Sequence, residues 1–172
     1  EFRTPKIERI FYGNIGMEIS LYLSYLRNVQ LLSESTVRNK EQYLYQFFCY
    51  MEKHSLTLDN LSIEVIEDFF ASMDYSLTSR HNCSSTLRIF FRYAHDNGIT
   101  AKNNSIFVMT DNYNKHSKVP TTYDENEIRR IIASVERSSG IGKRDYLILL
   151  LASEYGWRSS DIVNFRFSHI DW

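Results

Sequence analysis

In 172 residues the chain places only six glycines and two prolines, Pro5 and Pro120. Those residue types are the strongest local breakers of regular structure, so long stretches here contain nothing that would stop a helix. The apolar residues repeat to match. Ile19, Tyr22, Leu23 and Leu26 stand at i, i+3, i+4 and i+7, the spacing that lines one face of a helix and not of a strand. A first helix is expected over about 15–30, and Ser33 is a natural N-cap for a second that reaches about residue 54. Val37, Leu44, Phe47, Phe48 and Met51 fall on the inner face of the second. Ser62 would cap a third helix, with Glu64 favourable in its first turn and Val65, Ile66, Phe69 and Phe70 apolar. A fourth is expected from near Thr78 to the stop residue Gly98. Four helices with short connections close a bundle of about a hundred residues, with abundant Phe and Tyr for its core.

Beyond this bundle, Asp111 to Thr122 is polar, contains Lys115, Lys118 and Pro120, and has no helical period. It reads as a linker. The expected division is therefore a bundle over 1–110, a linker over 111–122, and a second region over 123–172. That region opens with Thr122-Tyr123-Asp124-Glu125, which reads as a capping box for a helix carrying Ile128, Ile131, Ile132 and Val135. Gly140 and Gly142 are expected to bracket its end. An apolar helix from Arg144 to Glu154 follows, then a turn at Gly156 and a short helix from Ser159.

Composition excludes several classes. The longest uninterrupted apolar run, Leu147 to Ala152, is far short of the roughly 20 residues a membrane span needs. The start, Glu1-Phe2-Arg3-Thr4-Pro5, lacks an initiator Met and the layout of a secretory signal, so the natural protein is expected to extend further. Cys49 and Cys83 are isolated, and His54, His81, His95, His116 and His169 are scattered. Neither set has metal-ligand spacing, so no metal site is expected. The two thiols read as reduced core residues of a cytoplasmic protein. Net charge is −1, which argues against a purely electrostatic nucleic-acid binder. The charge is segregated, however. Six acids and one base lie between Glu52 and Asp74, whereas Arg80, Arg88, Arg92 and Lys102 face one acid, Asp96, between residues 80 and 102. Such segregation can give a binding face without a basic protein.

The run Arg144-Asp145-Tyr146-Leu147-Ile148-Leu149-Leu150-Leu151, with Tyr155-Gly156-Trp157-Arg158-Ser159-Ser160-Asp161-Ile162 after it, resembles the opening of the catalytic domain of tyrosine recombinases, the phage-integrase family. The family's motif there reads roughly R-D-x-x-x-L-L-L-x-T-G-x-R-x-S-E-L. Upstream, Ser33 and Thr36, and later Leu87-Arg88-Ile89-Phe90-Phe91-Arg92-Tyr93, resemble that family's core-binding domain, with its Ser-x-x-Thr helix start and final L-R-x-F-F-x-Y helix. Lys40 stands where the family commonly has Tyr, and Asn103-Asn104 where Asn-Pro is usual. The resemblance implies an all-α fragment: a four-helix SAM-like core-binding bundle, followed by the first helices of a truncated α+β catalytic domain. It also implies double-stranded DNA and other recombinase protomers as partners, with no metal or nucleotide required. The complete enzyme would cleave one strand with a tyrosine hydroxyl through a 3′-phosphotyrosyl bond. This fragment is then expected to bind DNA without cleaving it, since the second arginine, the lysine and the nucleophile would lie beyond Trp172.

Three constellations carry the chemistry. Arg158, after the glycine turn, is placed to stabilise charge on a phosphodiester under attack, because a preorganised guanidinium donates two hydrogen bonds to the non-bridging oxygens. Otherwise it is an ordinary surface arginine. Asp161 either orients it or caps a helix. On the fourth helix His81, Ser85, Arg88, Arg92 and His95 are separated by 4, 3, 4 and 3 residues and share one stripe at about 100° per residue. That stripe suits phosphates along a DNA groove, or is a solvated face. Third, Thr36, Arg38, Asn39 and Gln42 open the second helix, and Ser79, Arg80 and Asn82 open the fourth. Polar groups at helix N-termini donate to phosphates, and Asn or Gln read adenine edges. They equally serve as caps. Lys115 and Lys118 either clamp the DNA backbone from the linker or keep the linker soluble. The competing reading is a non-catalytic helical module for binding DNA or protein.

Overall fold

A computed structural model describes residues 9–109 and 122–171. The chain divides into two compact units, residues 1–117 and 118–172. Among the described residues all regular structure is helical. The linker expected over 111–122, with Lys115 and Lys118, lies outside the described residues except for Thr122.

The first unit contains α1 (Gly13–Asn28), α2 (Glu34–Lys53), α3 (Ile63–Ala71) and α4 (Leu77–Asp96). Local chemistry sets the starts of three of them. The hydroxyls of Ser33, Ser62 and Ser76 accept from the backbone N–H of Thr36, Val65 and Ser79, each satisfying one of the donors a helix start leaves unpaired. The core is aromatic. Phe47 meets Phe69 at 5.3 Å and Phe91 at 5.5 Å edge-on, and Tyr22 packs on Phe90 at 5.3 Å. All five of these rings are essentially sealed from solvent. The five α2 positions expected to face inward are buried, as are Cys83, Leu87, Phe90, Phe91 and Ala94 of α4. Cys49 differs: it is exposed on the outer side of α2, so apolar neighbours in sequence did not make it a core residue.

Two short 3-10 helices, Leu58–Asn60 and Asn104–Phe107, finish the unit. The buried Asn104 amide donates to the Leu58 carbonyl at 2.6 Å and ties the two together. A proline at this position would have no such donor.

The second unit holds α5 (Glu125–Ala133), α6 (Gly140–Ser153) and α7 (Ser159–Asn164). The capping box exists, two residues later than expected. Asp124 accepts from the Glu127 N–H at 2.8 Å, and Glu127 accepts from the Asp124 N–H at 2.9 Å. A carboxylate pair outcompetes the Thr122 and Glu125 pairing because each member accepts from a backbone donor with full charge. Gly140 and Gly142 do not bracket the end of α5. They form the first turn of α6, where a Cβ on Gly142 would stand 1.8 Å from the Glu136 carbonyl oxygen. Only glycine permits that approach. Among the helical residues of this unit only Gly142 and Leu151 are buried.

Candidate nucleic-acid interface

Helices α2 and α4 lie side by side in the bundle, and their first halves form a polar groove of about 340 Å³. Thr36, Asn39, Lys40 and Tyr43 line it from α2, and Asn82, Ser85 and Thr86 from α4. Four residues singled out in the sequence, Thr36, Asn39, Asn82 and Ser85, are thus brought together from two helices. The Thr86 hydroxyl donates to the Asn82 carbonyl at 2.8 Å, which fixes one wall. No acidic residue lines the groove.

Other candidates are distributed around it. Arg38 is exposed, with its Nε 4.0 Å from Glu34, a weak surface pair that leaves the guanidinium available. Gln42 is exposed on α2 outside the groove. Ser79 serves the cap: its N–H and its hydroxyl both meet Ser76 Oγ, at 3.2 and 3.1 Å. Arg80 lies over the Phe70 ring at 5.1 Å and lines a separate hollow with Ile66 and Glu67. These two belong to packing and capping, not to the groove.

The stripe on α4 lies opposite that helix's buried face, as its spacing requires, but its members are unequal. His81, Ser85 and Arg88 are half-buried, whereas Arg92 and His95 are exposed. Arg88 donates from Nη2 to the Met109 carbonyl at 3.1 Å, so part of its hydrogen-bonding capacity holds the end of the bundle. His95 Nδ1 is 3.3 Å from Asp96. Arg92 is the stripe's exposed arginine.

Tyr43, Thr86 and Lys40 line the groove without having been singled out as candidates in the sequence, and the one of them that carries a charge is Lys40. It is half-buried, and burial lowers its pKa below the usual lysine value. The signal was in the sequence as a lysine standing where an aromatic residue is common in the family it resembles. A lysine on a long helix otherwise reads as solvated.

In the second unit, Arg158 occupies the N-cap of α7. The turn before it depends on Gly156 at φ +63°, a left-handed conformation that glycine adopts without a steric penalty. The Arg158 carbonyl accepts from the N–H groups of Asp161 and Ile162 at 2.9 and 3.1 Å, so its backbone is fixed while its side chain is exposed. Asp161 does not pair with it. The Asp161 carboxylate accepts from the Ser160 hydroxyl at 3.4 Å, and no salt bridge to Arg158 is present among the described residues. Among those residues no cluster of His, Cys, Asp and Glu is placed to hold a metal ion, and no helix is long and apolar enough to cross a membrane.

Residues 19–98 match the family of phage integrase N-terminal SAM-like domains. The chain is similar to y4rA of Sinorhizobium fredii, assigned provisionally as an integrase/recombinase: 26% identity over 92% of this chain and 39% of that protein. It is also similar to the tyrosine recombinase XerC of Anoxybacillus flavithermus, with 24% identity over 92% of this chain and 53% of the relative. XerC of Staphylococcus epidermidis is 26% identical over 87% of this chain and 51% of the relative. The chain therefore spans about half the length, or less, of these relatives. No solved structure matches it.

Proposed function

Because residues 19–98 match the integrase-type SAM-like domain and the chain is similar to tyrosine recombinases along most of its length, we propose that it is part of a tyrosine recombinase and that its first unit grips double-stranded DNA through the paired starts of α2 and α4. The observation that carries this reading is the acid-free polar groove between those helices, with Arg38 exposed on one and Arg92 on the other. Exposed guanidiniums supply phosphate contacts that set orientation. Asn39 and Asn82, at the helix starts, have the amide geometry that reads adenine edges. A net charge of −1 is compatible with this, since binding needs charge concentrated on one face and not spread over the whole chain.

In the same reading Arg158 serves catalysis by the complete recombinase. Fixed at its backbone by α7, its guanidinium would donate to the phosphodiester that a tyrosine hydroxyl attacks. The chain would work in the cytoplasm, alongside other protomers on the same DNA.

The test is a fluorescence-anisotropy titration of the full 172-residue chain with duplex DNA at about 50 and about 200 mM salt. Arg38→Ala and Arg92→Ala should each weaken binding and reduce the salt slope by about 1, the signature of one lost phosphate contact. Unchanged slopes in both variants would remove α2 and α4 from the interface. Absence of duplex binding by the wild type would overturn the reading as a whole.

A further inference from the structure

Lys40 lies within α2, and the two acids nearest to it on that helix, Glu34 and Glu41, are committed elsewhere. Glu34 meets Arg27 at 2.8 Å and Arg38 at 4.0 Å, and Glu41 meets Arg27 at 3.7 Å. Lys40 has no hydrogen bond or ion pair among the described residues, and the groove it lines contains no carboxylate. An ammonium taken partly out of water without a counter-charge is costly to fold. The burial that lowers its pKa is the same cost seen from the proton's side. The surrounding groups do not neutralise that charge, because none of them carries a negative one. Thr36, Tyr43 and Ser85 present hydroxyls, and Asn39 and Asn82 present amides with N–H groups. A ligand that complements such a lining offers acceptors and negative charge.

Resting on the DNA-binding reading above, we propose that Lys40 and the hydroxyl and amide groups around it form a seat for one backbone phosphate of double-stranded DNA, held between α2 and α4. A phosphodiester has two acceptor oxygens and one negative charge, and the groove of about 340 Å³ has room for it with bridging water. Lysine suits a recessed seat because its ammonium is a compact point charge on a flexible stem, whereas arginine needs a planar approach. A phosphate held between two helices fixes the register at which Asn39 and Asn82 meet the bases, a positioning role without base specificity of its own.

The probe is a duplex selected by the wild-type chain from a random-sequence double-stranded library. A matching set of duplexes carries one neutral methylphosphonate at each backbone position in turn. Lys40→Met should weaken binding to every duplex by the same factor, about tenfold or more, and lower the salt slope by about 1. One methylphosphonate position should cost the wild type a similar factor and cost Lys40→Met nothing further. If Lys40→Met does not fold, as judged by circular dichroism, the wild-type scan still decides. In that case a single sensitive position whose penalty shrinks in the double variant Asn82→Ala, Ser85→Ala is required. Unchanged affinity of a folded Lys40→Met would overturn the seat. So would altered preference at one base pair with an unchanged salt slope, which would make Lys40 a base contact. Failure of the wild type to select any duplex would sink the DNA-binding reading itself, a result distinguishable from either.

Discussion

Both units of this chain are written in the same helical period, yet only the first seals its apolar face. In α2 and α4 the residues at core spacing are buried among rings from other helices. In the second unit Ile131 and Ile148 remain 39% exposed and Val163 82% exposed. An apolar hollow of about 690 Å³, lined by Leu147, Leu151, Ile162 and Phe165 among others, opens between α6 and α7. The difference teaches that periodicity specifies a helix and its apolar side, whereas burial requires partner surfaces. The first unit has four helices enclosing one aromatic core. Among the described residues the second has three α-helices, of which α5 has 9 residues and α7 has 6.

The largest test of this contrast is a pair of truncations. Phe47→Ala should destabilise the bundle by about 3–5 kcal/mol, because a fully enclosed ring leaves a cavity. Val163→Ala should change stability by no more than about 0.5 kcal/mol, as expected for an exposed site. Urea denaturation followed by circular dichroism measures both. Comparable losses at the two positions would break the comparison.

A pH titration sharpens it. Burial pushes the Cys83 thiol from its usual 9.0 up to about 12, and burial also raises the Tyr22 and Tyr75 hydroxyls above their usual 10.0. All three groups lie in the first unit. Each folded-state value is raised, so the associated stability is complete below the unfolded pKa and is lost as pH rises towards the folded one. The bundle should hold a constant stability up to about pH 9 and weaken progressively to about pH 12, with Cys83→Ala reducing the loss. The second unit carries no such group among the described residues. Its resolved shift is a lowering at Glu136, caused first by the Ser138 hydroxyl. A midpoint for the bundle that does not move between pH 9 and 12 would count against this account of the core.

The smallest expected effect is at the caps. Ser33→Ala should cost the bundle about 1 kcal/mol. Asp124→Ala removes one half of a reciprocal box on a 9-residue helix with no buried side chain, so it should register as lost helicity near 222 nm and not as a shifted unfolding midpoint. A cooperative midpoint shift from Asp124→Ala would show that α5 is as firmly packed as α2.

Much of this was legible in local sequence. Ser33 and Ser62 announced helix starts because a cap depends on the next three residues alone. The stripe on α4 followed from spacing, and its opposite side is the buried one. The misreadings share one cause, which is competition from outside the local window. Gly142 looked like a helix stop and is instead required by the approach of the Glu136 carbonyl. Arg80, singled out among the polar groups that open α4, also lies on Phe70, and Arg88 of the stripe also reaches the Met109 carbonyl. Cys49 sits between two aromatic residues in sequence and faces outward, because Phe47, Phe48 and Met51 fill the inner face at that turn of α2.

The sequence by itself determined the helical class, the inner faces of the four bundle helices and the glycine turn that presents Arg158, since each follows from torsional preference and a period of 3.6 residues. Tertiary structure alone decided which polar residues form a site. Thr36, Asn39 and Lys40 acquire their meaning from Asn82 and Ser85 on another helix. A groove is a relation between two surfaces, and so is the partial loss of water around the Lys40 ammonium. No window of one helix contains either.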